Sequence, residues 1–175
     1  GKGGGPAAIC HAILAAAPHR VDAWLLLGAA NYQARDYAGC LLANAHALQL
    51  QPSFAEAHSN RANALKALGD YEGAQMEYLA AIALKPAFVD AHNNLAALLI
   101  SRGQHAPAEA VLRRLLALHP GRADAHYNLG MCLRAQAEPS ALAQARACFA
   151  AAAHADATFA PAWLALGSAA KEAGD

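Results

Sequence analysis

Three kinds of polar residue return along this chain at one fixed interval. His58, His92 and His126 stand 34 residues apart, as do Asn60, Asn94 and Asn128, and Asp22, Glu56, Asp90 and Asp124 keep the same step. Repeated histidines raise the question of metal ligation. A metal needs its ligands converging on one point with tight geometry. Side chains that return once per 34 positions are spread out instead, so packing is the role expected of these histidines. The asparagines offer different chemistry. A carboxamide carries an acceptor oxygen and two N–H donors, enough to satisfy both a backbone N–H and a backbone C=O of an extended peptide. One such residue per repeat on the same helical face makes a row that reads backbone and not side chains. Asn60, Asn94 and Asn128 are therefore candidate peptide-binding residues, joined by Asn63, and the row is expected to face solvent. The same amides could instead hydrogen-bond between neighbouring helices, and both readings stay open. The acids open their repeats, where a carboxylate in a first helical turn favours the positive end of the helix dipole. Glu56, Asp90 and Asp124 are secondary groove candidates that would favour basic or hydroxyl-bearing peptides.

Chemistry of other kinds is not written here. No Ser-His-Asp, Cys-His or paired-carboxylate arrangement occurs in a plausible context, and Gly1-Lys2-Gly3-Gly4-Gly5 lacks the strand and helix that flank a phosphate loop. No catalytic residue, metal or cofactor is assigned to this segment. Lys66 and Arg134 are isolated, so no cationic set faces one groove to grip an acidic peptide tail.

The elements that carry these residues follow from the same interval. Pro18, Pro52, Pro86 and Pro120 are also 34 apart. A fixed period of this length marks stacked supersecondary units, each unable to bury its apolar face alone. Each full repeat reads as two helices and a short turn. Ala55–Leu68 carries Ala57, Asn60, Arg61, Ala64, Leu65 and Leu68 at helical spacing, and Gly69-Asp70 makes the turn, glycine supplying the positive φ that ends a helix. Tyr71–Leu84 follows, with Ala74, Tyr78, Ala81, Ile82 and Leu84 toward the partner helix, and Lys85-Pro86 stops it. The units are a lead-in at 1–5, expected to be flexible, and a lone second helix within 6–20. Full repeats follow at 21–54, 55–88, 89–122 and 123–159, and then a lone first helix, Ala160–Ala173, within 160–175. The fourth repeat has three extra residues around Ala135–Ser140, which are expected to lengthen its turn, the second helix starting at Pro139. The chain reads as a piece of a longer protein whose two end helices, each without a partner from its own repeat, invite end-to-end self-association.

Composition narrows the partners. Alanine makes up nearly three residues in ten, which favours helix and lets helices approach closely. The 13 basic and 13 acidic residues balance, so neither nucleic acid nor an anionic membrane surface is an expected partner. No apolar run is long enough to span a bilayer. Cys10, Cys40, Cys132 and Cys148 show no CxxC spacing and sit among apolar neighbours, as buried free thiols do. That fits a reducing compartment, and an intracellular location, cytoplasmic or nuclear, is expected.

Several motifs in register identify the repeat. Trp24, Leu27, Gly28, Ala47 and Pro52 match the tetratricopeptide pattern in the first repeat; Ala62, Gly69, Ala74, Tyr78, Ala81 and Pro86 in the second; Leu95, Ala96, Gly103, Ala108 and Pro120 in the third. In the fourth, Leu129, Gly130, Ala145, Phe149 and Ala152 match while Ala157 replaces the proline, and Trp163, Leu166 and Gly167 open a fifth. The fold expected is all-α, a tetratricopeptide-repeat solenoid whose antiparallel helix pairs form a right-handed superhelix. Such solenoids bind proteins or extended peptides along a groove.

The wording between repeats is narrower still. Pro52-Ser53-Phe54-Ala55-Glu56-Ala57-His58-Ser59-Asn60 and Pro86-Ala87-Phe88-Val89-Asp90-Ala91-His92-Asn93-Asn94 share Pro-x-Phe-x-acid-Ala-His-x-Asn. This resembles the tetratricopeptide arm of the protein O-GlcNAc transferases and the SPINDLY-type protein O-fucosyltransferases, best over Leu50–Gly130. Departures are Leu26 and Ala165 in place of the asparagine, Arg61 in place of leucine, and Gly121-Arg122 in place of the Phe motif. The resemblance implies a non-catalytic arm before a nucleotide-sugar glycosyltransferase domain, its inner wall lined by asparagines that contact substrate backbone. Asn60, Asn94 and Asn128 are the matching positions. A free-standing interaction scaffold with no attached enzyme is the alternative reading.

Overall fold

Proline, glycine and aspartate punctuate the chain into helices joined by turns of two to four residues. The computed structural model describes residues 5–136 and 138–172, and among the described residues all regular structure is helix. The lead-in therefore lies, Gly5 apart, outside the described residues, as does Ala173, read as the last residue of the final helix. The helices are α1 (Pro6–Ala16), α2 (Val21–Gln33), α3 (Tyr37–Leu50), α4 (Ala55–Leu68), α5 (Tyr71–Leu84), α6 (Val89–Ser101), α7 (His105–Leu118), α8 (Ala123–Ala135), α9 (Pro139–Ala155) and α10 (Ala160–Glu172). They fall into two units, residues 1–91 and 92–175. In the first, α2 packs on α1, α3 and α4, and α4 packs on α3 and α5. In the second, α8 packs on α7, α9 and α10, and α9 on α10.

Turn chemistry repeats with the helices. The residue that reverses the chain between first and second helix takes left-handed φ: +60° at Arg35, +87° at Gly69 and +71° at Gly103. Arg35 holds a conformation that costs an L-residue with a Cβ, where its two counterparts are glycine. In the first two repeats the second helix then starts on an aspartate cap. The Gly39 N–H donates to the Asp36 carboxylate, and the Gly73 N–H to Asp70, each at 2.9 Å. These bonds satisfy donors that a helix start leaves unpaired.

Alanine lets the layers close up. In the first unit Cys10, Leu14, Ala23, Leu27 and Ala43 form a core cluster against Ile13 and Trp24. In the second, Ala152, Ala153 and Ala162 pack with Tyr127 and Phe159. The motif glycine of the first helix is a notch for the second. A Cβ on Gly28 would stand 3.0 Å from Cγ of Asn44, and one on Gly130 would stand 2.5 Å from Cε1 of Phe149. Cys10, Cys40 and Cys132 are buried, Cys148 is half-buried, and all four are free thiols. Burial pushes the Cys40 and Cys132 thiols up to about 11. No helix among the described residues is long and apolar enough to cross a membrane.

Two expectations need correcting. The three extra residues of the fourth repeat do not lengthen its turn. α8 ends at Ala135 and α9 starts at Pro139, the same spacing as from Ser101 at the end of α6 to His105 at the start of α7. The insertion instead extends α9, which has 17 residues where α5 and α7 have 14. Proline in a first helical turn needs no N–H partner, so Pro139 starts the added turn. Leu84 does not face the partner helix, and Leu68 is likewise outward; both are exposed. Each is the last residue of its helix, where the chain has already turned away from the neighbour.

Candidate functional site

On each first helix, four positions at i, i+4, i+7 and i+11 share one face. On α2 these are Asp22, Leu26, Ala29 and Gln33, all exposed; on α4 they are Glu56, Asn60, Asn63 and Ala67, the first three half-buried. On α6 the acid and amide are Asp90 and Asn94, and on α8 they are Asp124 and Asn128. Helical periodicity thus places an acid and an amide on one stripe of α4, α6 and α8, while α2 keeps the acid and has Leu26 at the amide position. Asn60 belongs to the first unit, Asn94 and Asn128 to the second.

The asparagines are not simply solvent-facing, as expected, but half-buried. Asn60 shows why. Its Nδ2 donates to Oδ1 of Asn44 at 3.4 Å, and Asn44, fully buried on α3, donates to the Cys40 carbonyl at 2.8 Å. The Cys40 thiol lies 3.8 Å from the Asn60 carbonyl, tying the same two helices. Asn60 is thus an inter-repeat contact whose bond is at the long end of the hydrogen-bond range. One N–H and the Oδ1 of the carboxamide have no other bond among the described residues. Asn63 accepts a 2.5 Å hydrogen bond from the Tyr78 hydroxyl, and burial raises the Tyr78 pKa, keeping the phenol a donor. Asn44 is not legible as a partner: it lies 16 residues away on a second helix, at a place where the 34-residue pattern announces no polar residue. Tyr78 is legible as a motif residue turned toward the partner helix, but its bond to Asn63 is not.

The acids differ in their partners. Glu56 pairs with Lys85 at 2.7 Å, and the hydrogen bond from Lys85 holds its carboxyl below the ordinary value. Asp124 pairs with Arg122 at 2.6 Å and accepts from Asn93 at 2.6 Å. Burial alone would raise its pKa, but Arg122, the Ala125 N–H and Asn93 outweigh it and hold the carboxyl low. Asp22 is bridged by Arg20 in the same way. Asp90 is exposed in the first turn of α6.

The ring residues at the histidine position have a structural job. Trp24 Nε1–H donates to the Pro18 carbonyl at 2.8 Å, and Trp163 Nε1–H to the Ala157 carbonyl at 3.0 Å. His126 Nε2 lies 2.8 Å from the Pro120 carbonyl and His58 Nε2 lies 3.4 Å from that of Pro52. In each case the ring reaches back six residues to staple the inter-repeat loop to the helix it starts. Among the periodic histidines the contact is made by His58 and His126, and the tryptophans make it at the equivalent position. His58 also meets Glu77 through Nδ1 at 2.7 Å, and Glu77 meets Arg61 at 3.2 Å, so the arginine that replaces leucine is answered by a carboxylate on α5.

Residues 62–100 match the family described as TPR repeat, and residues 89–132 match the family described as Tetratricopeptide repeat. Solved structures share the fold. MamA superposes with a TM-score of 0.77 at 21% identity, over 88% of each chain. YrrB, described as a TPR protein with an unusual peptide-binding site, has a TM-score of 0.76 at 20% identity, over 96% of this chain and 85% of that one. A thermophilic TPR protein of Thermus thermophilus has a TM-score of 0.72 at 18% identity, over 93% and 88%. The chain contains tetratricopeptide repeats and has the fold of a tetratricopeptide-repeat solenoid. Over 52 residues it is 48% identical to the probable UDP-N-acetylglucosamine–peptide N-acetylglucosaminyltransferase SEC of Arabidopsis thaliana, a match covering 30% of this chain and 5% of that protein. Its repeats resemble the tetratricopeptide arm of O-GlcNAc transferases.

Proposed function

We propose that this solenoid holds extended polypeptide against its first-helix stripes, as the substrate-recognition arm of a longer protein glycosyltransferase of the O-GlcNAc transferase kind. The observation that carries this reading is the 48% identity over 52 residues to the plant transferase. In support, an asparagine recurs at one helical position, as Asn60, Asn94 and Asn128. The amides grip backbone groups common to all peptides, with Asn63 beside Asn60. Glu56, Asp90 and Asp124 bias the face toward basic or hydroxyl-bearing segments. A second reading, a free-standing adaptor, draws on the likeness to YrrB, which covers 85% of that chain and whose description names a peptide-binding site.

The test is peptide affinity. Each amide-to-backbone contact is worth roughly 0.5–1.5 kcal/mol net, so replacing Asn60, Asn94 and Asn128 by alanine weakens binding by about 1.5–4.5 kcal/mol if the terms add. The loss is expected to be equal across unrelated peptides measured by titration calorimetry. Because Asn60 also supports Asn44, the Asn94→Ala/Asn128→Ala pair is measured beside the triple variant. Unchanged affinity with a large fall in melting temperature assigns the amides to packing and ends the binding proposal. The transferase reading fails if the residues that follow in the parent gene encode no nucleotide-sugar-binding domain.

A further inference from the structure

Two of the links between repeats share one turn and differ in charge. Lys85 caps the C-terminus of α5, and Asp156 caps that of α9. The Phe88 N–H closes the first turn on the Lys85 carbonyl at 2.9 Å, and the Phe159 N–H closes the second on the Asp156 carbonyl at 3.1 Å. Asp156 and Phe159 thus stand in the fourth repeat where Lys85 and Phe88 stand in the second, and Asp124 stands where Glu56 does.

In the second repeat these positions form an occupied cation site. The Lys85 ammonium lies 2.7 Å from the Glu56 carboxylate and 4.9 Å from the centre of the Phe88 ring. A carboxylate on one side and an aromatic ring on the other both attract an alkylammonium. The lysine and glutamate side chains are 53% and 39% exposed, so the site lies at the surface of an interior repeat.

In the fourth repeat a carboxylate has taken the place of the ammonium. Arg122, Asp124, Asp156 and Phe159 line an open pocket of about 350 Å³. The Arg122 guanidinium is already engaged with both oxygens of Asp124, at 2.9 and 2.6 Å, and Asn93 donates to the same carboxylate at 2.6 Å. Asp156 has no cation among the described residues. Its Oδ1 accepts from the Thr158 hydroxyl at 2.6 Å and the Thr158 N–H at 2.8 Å, bonds that hold its carboxyl below the ordinary value, and its Oδ2 carries no bond there. Two carboxylates against one guanidinium leave the pocket one negative charge in excess, where Glu56 and Lys85 cancel. Phe159 is fixed by Tyr127, edge to face at 5.6 Å.

We propose that this pocket binds an alkylammonium, the lysine side chain of a bound polypeptide, with Asp156 and Asp124 on one side and Phe159 on the other, as Glu56 and Phe88 hold Lys85. The cation comes from outside because the chain places a carboxylate at the position from which it supplies its own ammonium in the second repeat. The excess charge selects a cation, and Phe159 and Ala123 receive the alkyl stem. The proposal deepens the peptide-binding reading above and rests on it for the source of the lysine, whereas the site itself is tested without a peptide.

The 175-residue chain is titrated with n-butylammonium chloride, with sodium chloride as the control, and read by amide nitrogen–proton correlation spectra. The Thr158 and Phe159 amides are expected to shift with n-butylammonium and not with sodium. Asp156→Lys restores the pattern of the second repeat, and Asp156→Asn removes the charge while keeping an oxygen for Thr158. Asp156 is exposed, so both variants are expected to keep the parent's helicity and melting curve, and in both the response is lost. Calorimetry then compares blocked, otherwise uncharged peptides that carry one lysine or norleucine in its place. The lysine peptide is expected to bind about threefold to tenfold more tightly, an advantage that shrinks at high salt and vanishes in both variants while norleucine binding is unchanged. Asn94→Ala/Asn128→Ala lowers both peptides alike. If neither peptide binds while n-butylammonium still shifts the amides, the peptide-binding reading fails and the ammonium site stands. No response to n-butylammonium, a response that survives both Asp156 variants, or equal affinity of two peptides that both bind overturns the proposal.

Discussion

Two glycines at one motif position should respond to alanine with opposite signs. Gly130 and Gly167 are both interior to first helices, where glycine costs about 1 kcal/mol relative to alanine. Propensity alone therefore predicts that alanine stabilises at either site. Packing divides them. At Gly130 the new methyl would stand 2.5 and 2.7 Å from Cε1 and Cδ1 of Phe149, whose ring is fully buried. That ring is flanked by Tyr127 at 5.9 Å and by the Arg134 guanidinium over its face at 5.9 Å, so it can yield only by displacing packed neighbours. Overpacking of this kind costs about 1–3 kcal/mol. Set against the propensity gain, Gly130→Ala is expected to lose about 0–2 kcal/mol, and Gly167→Ala to gain about 0.5–1 kcal/mol, since its Cβ meets nothing. Urea midpoints measured by circular dichroism on dilute protein, with the slope checked for constancy, give the difference. A rescue sharpens the test. The third repeat carries Ala96 and Leu112 at these two positions, so Gly130→Ala combined with Phe149→Leu should recover part of the loss through relief of the clash. If Gly130→Ala is as stabilising as Gly167→Ala, the ring moves freely and the notch argument is wrong.

Arg35→Gly removes a left-handed φ of +60° from a residue with a Cβ; after glycine's own entropy cost the expected gain is about 0.5–1 kcal/mol, read from the urea midpoint. The paired carboxylate of Asp124 has a folded pKa below its unfolded value, so its contribution is complete above the ordinary carboxylate value of about 3.9 and is lost as pH falls through the folded value. Asp124→Asn should accordingly lose less stability than the parent between about pH 5 and pH 2; equal acid sensitivity would show that the Arg122 and Asn93 contacts contribute nothing. Cys40 and Cys132, with thiols pushed up to about 11 by burial, should resist a thiol reagent at neutral pH until urea opens the fold. Fast labelling of either in native protein would contradict their burial.

The residues of the 34-residue period were legible because a solenoid repeats its local environment and so repeats the residue types that fit it. Pro52 and Pro86 stand outside the helices, Gly69 takes left-handed φ, and α4 and α5 run from Ala55 to Leu68 and Tyr71 to Leu84. The helix boundaries, the face that each repeated residue occupies and the resemblance to a transferase arm all rest on that local repetition. What pairs with what did not repeat, and only the packed structure decided it. Asn60 reaches Asn44, but the counterpart of Asn44 in the next repeat is Tyr78, which bonds Asn63 instead. Glu56 finds Lys85 whereas Asp124 finds Arg122 and Asn93. The three extra residues of the fourth repeat entered α9 and not the turn, because an extended helix satisfies its own backbone while a longer loop would leave backbone groups to find other partners. Periodicity in sequence reports the shared backbone geometry of the repeats, whereas each polar side chain settles on whichever donor or acceptor the adjoining layer brings within reach.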